Sequence, residues 1–98
     1  MQMYRIDFRS NVKKDFKNIN KSDIQFIRNS LNEFVKKFSS NYETALMQTG
    51  KIKKLQGKKD ILYRLKLRSY RVIYKKQDDN LIILIVKVTT RKSAYKKI

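Results

Sequence analysis

The sequence predicts an α+β protein with helices on one face of a mostly antiparallel sheet. Two amphipathic helical segments lie in its first half, and three strand-like segments follow in its second half. One further strand precedes the helices, which gives the order β-α-α-β-β-β. Runs of helix followed by runs of strand are typical of this class, because each element must bury its apolar side against another. At 98 residues, the chain is predicted to form a single domain, 1–98.

The predicted elements begin with a strand and a helical hairpin. Tyr4 to Phe8 alternates apolar and polar residues, which is typical of a half-buried strand. A helix is predicted after Ser10 or Asn11, and a break from Asn18 to Lys21 ends it. Ser22 is the predicted N-cap of a second, stronger helix. Its apolar residues recur at three- and four-residue spacing: Ile24, Ile27, Leu31, Phe34, Val35 and Phe38.

The middle of the chain gives weaker signals. The segment from Ser39 to Gly50 is ambiguous between a loop and a short turn of helix. From Lys51 to Gly57 the chain is basic, and Ile52 and Leu55 are predicted to point inward. No strand is assigned to this basic segment.

Three strands are predicted in the second half, each with residues alternating between two faces. In the first strand the polar face carries Arg64, Lys66 and Arg68. Its apolar face carries Ile61, Tyr63, Leu65 and Leu67. In the second strand one face carries Tyr70, Val72 and Tyr74, and the other carries Arg71, Ile73 and Lys75.

A turn and an apolar strand complete the predicted sheet. Asp78 to Asn80 is a cluster of turn-forming residues. Leu81 to Val88 is apolar on both faces, which predicts a strand buried on both sides. The tail from Arg91 is short and basic and is predicted to form a last half-helix.

The charge of the chain favours a polyanionic partner. There are 25 basic and 8 acidic residues, a formal net charge of +17. Residues 1–49 carry a net charge of +4, and residues 50–98 carry +13. Because phosphates bound by Lys and Arg release counterions, nucleic acid is the usual partner of such a surface. The functional surface is therefore expected in the second half, although basic residues are also common on solvated faces without a task.

The composition excludes several kinds of chemistry. Without cysteine or histidine, the chain offers no disulfide, thiol nucleophile, imidazole base or zinc ribbon. No apolar run approaches the roughly 20 residues of a membrane span, and the N-terminus lacks an apolar signal region. We therefore expect a cytoplasmic protein that uses neither metal nor cofactor.

The second half also carries the motifs of a known family. Three stretches carry the resemblance, together with the aliphatic strand Leu81 to Val88: Lys54-Leu55-Gln56-Gly57, then Tyr63-Arg64-Leu65-Lys66-Leu67-Arg68-Ser69-Tyr70-Arg71-Val72-Ile73-Tyr74, then Arg91-Lys92-Ser93-Ala94-Tyr95. In this combination the chain resembles the RelE/ParE toxin superfamily. The resemblance implies a twisted antiparallel sheet with two N-terminal helices. For the RelE branch it implies endonucleolytic cleavage of mRNA, often on the ribosome.

The resemblance also implies roles for individual residues. Arg64 and Lys66 stand where the family places catalytic basic residues, and Arg71 stands at the arginine that contacts the scissile phosphate. Arg91 and Tyr95 match the C-terminal arginine and tyrosine of the family. The chain departs from many members at two places. It has Arg68-Ser69 instead of glycine at the hairpin turn, and Thr90 instead of histidine beside the C-terminal arginine.

These residues predict a metal-free mechanism of RNA cleavage. The ribose 2′-OH attacks its own 3′-phosphate, which requires a base, positive charge on the phosphorane, and an acid for the leaving 5′-oxygen. Lys66 is the predicted base, since neighbouring cations favour its neutral form. Arg71 and Arg91 are predicted to stabilise the phosphate, and Tyr95 to stack on a base or orient the 2′-OH. Lys54 and Arg64 are secondary candidates for proton donation or phosphate contact, and the predicted RNA-binding residues are Lys54, Arg68 and Lys92.

The predicted partners are mRNA, the ribosome and an inhibitory protein. By resemblance, that protein is a cognate antitoxin, acidic and partly disordered, which folds along the basic surface. Three other functions are weighed against mRNA cleavage: a ParE-like poison of DNA gyrase, a non-catalytic nucleic-acid-binding module, and a peripheral membrane protein. The chain lacks the common nucleic-acid-binding motifs and a strongly basic amphipathic helix, which disfavours the last two.

Overall fold

Residues 3–56 and 61–90 are described by a computed structural model, in which they form three helices and a five-stranded sheet. The elements are β1 (Arg5–Phe8), α1 (Val12–Lys17), α2 (Lys21–Lys37), α3 (Ser40–Gln48), β2 (Ile52–Gln56), β3 (Ile61–Leu67), β4 (Tyr70–Gln77) and β5 (Ile82–Thr90). A 3₁₀ turn, Asp78–Asn80, joins β4 to β5. The predicted α+β class is confirmed. The predicted half-helix after Arg91 lies outside the described residues.

The sheet has the strand order β1-β5-β4-β3-β2. Strands β2 to β5 pair with their neighbours in antiparallel orientation, and β1 joins β5 in parallel. The prediction of a mostly antiparallel sheet is therefore confirmed. Among the helices of the described residues, none combines the length and the apolar composition of a membrane span.

Helices α2 and α3 begin at residues whose side chains cap them, and the cap of α2 differs from the prediction. Asn20, not Ser22, is the N-cap of α2, and its Oδ1 accepts a hydrogen bond from the Asp23 amide at 2.8 Å. Ser22 lies in the first turn, and its hydroxyl donates to the same oxygen. Asn20 is the better cap because its extended backbone lies just before the first helical residue.

Two elements of the structure lie where the sequence signals were weak. The ambiguous segment forms α3, nine residues long, and its N-cap Ser39 accepts from the Tyr42 amide at 3.1 Å. The basic segment forms β2, which pairs with β3 through Ile52 and Leu65. The predicted order β-α-α-β-β-β thus lacks one helix and one strand. The prediction that Leu55 points inward was wrong, because Ile52 and Leu55 are three residues apart and so lie on opposite faces of a strand.

The core lies between the helices and one face of the sheet, which we call the helical face. Helix α2 contributes Ile27, Leu31, Phe34 and Val35 to it. The sheet contributes buried residues from β2 to β5: Ile52, Leu65, Leu67, Tyr70, Val72, Tyr74, Ile83, Ile85 and Val88. The predicted apolar faces of β3 and β4 are thereby confirmed for these residues: Tyr63, Leu65, Leu67, Tyr70, Val72 and Tyr74.

A buried ionic cluster ties α3 to β4. Glu43 is 5 % exposed, and its two oxygens accept from the Tyr74 hydroxyl at 2.6 Å and the Lys76 ammonium at 2.8 Å. Burial, followed by the hydrogen bond to Glu43, raises the pKa of Tyr74 far above its usual value. Burial lowers the pKa of Lys76, but the hydrogen bond and charge of Glu43 outweigh it, so the net shift is upward. Both donors therefore stay protonated at neutral pH.

Replacing Glu43 by alanine is expected to lower the free energy of unfolding by about 3 kcal/mol, since the buried Tyr74 hydroxyl and the half-buried Lys76 ammonium would lose their acceptor. Urea denaturation followed by circular dichroism measures the change. Glu33→Ala removes an exposed carboxylate of α2 and should change the stability by no more than about 0.5 kcal/mol. Equal effects of the two substitutions would show that the buried cluster does not stabilise the fold.

Helix α1 completes the edge of β5 beyond the end of β1. Asp15 accepts from the Val88 amide at 2.9 Å, and Asn11 donates from Nδ2 to the Val86 carbonyl at 2.9 Å. Val86 is the extra residue of a bulge, because Ile73 pairs with Lys87 while Tyr74 pairs with Ile85. The side chains of α1 therefore satisfy backbone groups that the short strand β1 cannot reach.

Candidate functional site

Three predicted catalytic residues lie together on the sheet face opposite the helices, which we call the outer face. Lys66 on β3 pairs directly with Arg71 on β4. Arg64 lies two residues before Lys66 on the same side of β3, about 6.6 Å along the strand. Since side chains directly opposite in an antiparallel pair are about 5 Å apart, the register brings all three cations into one cluster.

Arg71 is held rigidly at the end of the β3–β4 hairpin. Its side chain is 8 % exposed, although it lies on the outer face. Its Nη1 donates to the Tyr70 carbonyl at 3.0 Å and to the Arg68 carbonyl at 3.2 Å. These contacts fix one corner of the guanidinium, as a rigid phosphate contact requires.

Arg64 carries an unsatisfied donor on the same face. Its side chain is half-buried, and its Nε is buried with no hydrogen-bond partner among the described residues. A buried donor without an acceptor costs free energy, and a bound anion would remove that cost. The Nε group therefore favours an anionic ligand at this position.

Lys66 is the exposed member of the cluster. Its backbone amide donates to the Lys51 carbonyl at 2.9 Å, which fixes the strand beneath its side chain. Among residues 3–56 and 61–90, Lys76 and Glu43 form an ion pair. No carboxylate of these residues pairs with Arg64, Lys66 or Arg71. Among the described residues, the charge of the cluster is therefore not neutralised by a carboxylate.

The register adds residues to the outer face that the sequence had not indicated. Lys53 on β2 pairs with Arg64, which places it beside the cluster. On β5, Thr89 pairs with Arg71 and Lys87 pairs with Ile73. Recognising β2 as a strand would have been enough to predict the position of Lys53, since inward Ile52 requires outward Lys53.

Two predicted RNA contacts do not join the cluster. Lys54 pairs with Tyr63 and therefore lies on the helical side of the edge strand β2. The prediction that Arg68 shares the face of Arg64 and Lys66 was wrong. Arg68 follows the end of β3 with a φ of 56°, and its guanidinium carbon lies 3.8 Å from the ring centre of Phe26 on α2. Strand alternation fails at the turn, so the side chain reaches the helical side instead.

The remaining predicted residues, Arg91, Lys92 and Tyr95, lie outside the described residues. Within the described ranges, no three acidic side chains converge as metal ligands would. The outer face thus carries one exposed amine and two arginines close to each other.

The chain matches the sequence model of a toxin family over nearly its whole length. The match covers residues 6–95, and the family is described as the ParE toxin of the type II toxin–antitoxin system parDE. The chain belongs to this family and is a toxin of a toxin–antitoxin system. No curated protein matches the chain in sequence.

Solved structures of RelE toxins share the fold. RelE in an archaeal RelE–RelB complex from Pyrococcus horikoshii is 26 % identical, with a TM-score of 0.66, and the match covers 92 % of this chain and 97 % of that one. RelE of a RelB–RelE antitoxin–toxin complex from Methanococcus jannaschii is 21 % identical, with a TM-score of 0.64 and coverages of 94 % and 98 %. A mutant of the E. coli toxin RelE in the free state is 21 % identical, with a TM-score of 0.66 and coverages of 96 % and 90 %. These matches confirm the predicted RelE/ParE superfamily and its RelE-like fold.

Proposed function

We propose that this toxin is a metal-independent endoribonuclease that cleaves mRNA on the ribosome. The observation that carries the proposal is the cluster of Arg64, Lys66 and Arg71, which has no described carboxylate to neutralise it. Such a cluster binds the negatively charged phosphorane more strongly than the ground-state phosphodiester. The RelE-like fold supports the same assignment.

Lys66 is the general base in this proposal. It is exposed, so an RNA 2′-OH can reach its amine. Arg71 lies directly opposite and Arg64 two residues away, and both are permanently charged. Of the three side chains, the lysine amine is therefore the one suited to proton transfer.

Arg71 and Arg64 stabilise the phosphorane. Arg71 has one nitrogen fixed by the turn carbonyls, so its guanidinium meets the phosphate in a preset orientation. The unsatisfied Nε of Arg64 supplies a second donor. Arg91 is proposed as a further phosphate contact, and Tyr95 as the residue that stacks on a base or orients the 2′-OH.

The balanced reaction transfers no external group. The 2′-oxygen loses its proton to Lys66 and forms a bond to phosphorus. The bond from phosphorus to the 5′-oxygen breaks as that oxygen takes a proton from solvent water, and Lys66 then returns its proton to solvent. The products are a 2′,3′-cyclic phosphate and a 5′-hydroxyl end. A single 2′-deoxy nucleotide at the cleaved position should therefore abolish cleavage there.

The test uses the purified chain, a defined mRNA and ribosomes, in buffer that contains a metal chelator. We expect discrete new 5′ ends by primer extension and 2′,3′-cyclic phosphate products. The matched control is the same mRNA with one 2′-deoxy nucleotide at the mapped site. Intact mRNA in the presence of active, growth-arresting protein would overturn the proposal.

A ParE-like poison of DNA gyrase is the second candidate, favoured by the family description of the matching sequence model. The two activities leave different products in cells. A gyrase poison causes DNA breaks and a DNA-damage response, and a ribonuclease causes cut mRNA. Expressing the protein in a bacterial host and measuring both mRNA cleavage and the DNA-damage response therefore assigns it to the ribonuclease or to the gyrase-poison branch.

We propose an acidic antitoxin as the protein partner. RelE toxins of similar fold have been crystallised in complexes with the antitoxin RelB. The net charge of +17 favours an acidic partner, because such a partner also relieves the self-repulsion of the toxin. The antitoxin would inhibit by covering the outer face.

Lys53→Ala is expected to weaken RNA binding about equally for all sequences and to reduce the slope of log K against log salt by about 0.7–0.9. The reason is the position of Lys53 beside Arg64 on the outer face. Lys13→Ala removes an exposed lysine of α1 and should leave the slope unchanged. Titration of labelled RNA at several salt concentrations measures both, and equal slopes for the two variants would exclude Lys53 from the interface.

A further inference from the structure

The position of Arg71 depends on two carbonyl groups of the β3–β4 turn. Its Nη1 donates to the carbonyls of Arg68 and Tyr70, at 3.2 and 3.0 Å. Both acceptors lie at the end of a hairpin, where backbone carbonyls move more freely than in the middle of a sheet. The orientation of the guanidinium therefore depends on how firmly these two carbonyls are held in place.

The side chain of Arg68 is anchored to helix α2. Its guanidinium carbon lies 3.8 Å from the ring centre of Phe26, in a cation–π contact. The backbone of Arg68 has a φ of 56°, a conformation that costs free energy for a residue with a Cβ atom. The contact with Phe26 holds the side chain in place and offsets part of this cost.

The side chain of Tyr70 is anchored to the same helix one turn earlier. Its hydroxyl donates to Oδ2 of Asp23 at 2.6 Å, and this bond is the first cause of the raised pKa of Tyr70. The hydroxyl therefore stays protonated and the bond persists at neutral pH. Each of the two residues whose carbonyls hold Arg71 is thus tied to α2 by its own side chain.

We propose that Phe26 and Asp23 of α2 are positioning residues for Arg71 and act through the β3–β4 turn. The inference rests on the proposed function, in which Arg71 contacts the scissile phosphate. We expect neither residue to touch the substrate, because both belong to α2, which packs on the side of the sheet opposite the cluster. They fix the turn carbonyls, and these carbonyls orient the guanidinium. Because small errors in the position of a catalytic group cost large factors in rate, the contact with α2 is part of the catalytic geometry.

The first test compares Phe26→Leu with a matched control on the neighbouring helix. Phe16 of α1 also lies under an arginine, but this arginine is Arg28 of α2, at 5.4 Å, and not a residue of the turn. We expect Phe26→Leu to lower kcat about tenfold with KM unchanged, and Phe16→Leu to leave kcat unchanged at a similar loss of thermal stability. Phe26→Tyr retains the ring and should restore the rate. Equal kcat values for wild type and Phe26→Leu, or an equal loss in Phe16→Leu, would overturn the proposal.

The second test does not depend on ribonuclease activity. A guanidinium with a hydrogen-bonded Nη1 rotates slowly about its Nε–Cζ bond, so nitrogen-15 NMR of labelled arginine resolves its Nη protons. We expect resolved Arg71 signals in the wild type and in Phe16→Leu, and averaged signals in Phe26→Leu and in Tyr70→Phe. If the chain does not cleave RNA, the proposed function fails, while these spectra still decide the positioning. Arg71 signals that stay resolved in Phe26→Leu would overturn the proposal that Phe26 positions Arg71.

Discussion

Arg71→Ala is expected to reduce the rate of RNA cleavage by about 10²–10³-fold, as the loss of one preorganised donor to a developing oxyanion does in other enzymes. Arg71 lies directly opposite Lys66, and two turn carbonyls hold its Nη1 in place. Its contribution is therefore realised mainly in the transition state, so kcat should fall and KM should change little. Single-turnover cleavage of a defined RNA measures the effect.

Two further variants test whether the loss of rate depends on the guanidinium group of Arg71 itself. Arg71→Lys keeps the positive charge but loses the planar guanidinium, and it should recover only a small part of the rate. Arg28→Ala removes an exposed arginine of α2, on the helical side, and should leave the rate unchanged. Full activity in a folded Arg71→Ala protein would mean that this residue does not contact the scissile phosphate.

Lys66→Ala is expected to lower the cleavage rate by about 10²–10⁴-fold, the usual contribution of a general base. The amine is exposed on the outer face beside Arg64 and Arg71, where an RNA 2′-OH can reach it. Single-turnover cleavage of a defined RNA measures the effect.

Lys66→Arg separates proton transfer from charge. Arginine keeps the cation but does not deprotonate in proteins, so the rate of this variant should stay close to that of Lys66→Ala. RNA binding, in contrast, should remain near the wild-type level in Lys66→Arg. Recovery of the rate by arginine would contradict the role of Lys66 as a base and would leave it with an electrostatic role alone.

The periodic part of the fold could be predicted from the sequence because each periodic segment buries one side. The spacing of apolar residues predicted α2, and strict alternation predicted both faces of β3 and β4 up to Tyr74. Helix α3 was harder to predict, since its buried Glu43 replaces an apolar residue and is acceptable only with Tyr74 and Lys76 as partners. These partners are more than 30 positions away in the chain, so no local pattern reports them.

Strand β2 was missed for a different reason. It is an edge strand in which Lys53 and Lys54 separate the two apolar residues Ile52 and Leu55. Lysines are common on edge strands because their charge opposes pairing with other chains. Such a segment reads as a basic loop in the sequence, and its pairing with β3 becomes visible only in three dimensions.

The candidate site could likewise be predicted only where its residues follow the alternation of a strand. Alternation along β3 was enough to place Arg64 and Lys66 together, and the hairpin brought in Arg71. It was not enough for Arg68, because the positive φ at this residue ends the alternation and sends the side chain to Phe26. The hydrogen bonds that fix Arg71 also could not be predicted, since they depend on the orientation of turn carbonyls.

The bulge in β5 gives this strand an unusual tolerance to changes in length. Ile85 faces the core and Lys87 faces outward, and Val86 between them has no partner on β4. Deleting Val86 would leave Ile85 and Lys87 as ordinary alternating neighbours, so both faces of the sheet would keep their residues. Deleting a residue elsewhere between Ile82 and Thr90 would instead exchange the faces on one side of the deletion. Loss of a residue is therefore expected to disturb β5 less at Val86 than elsewhere in the strand, although it removes the carbonyl that accepts from Asn11.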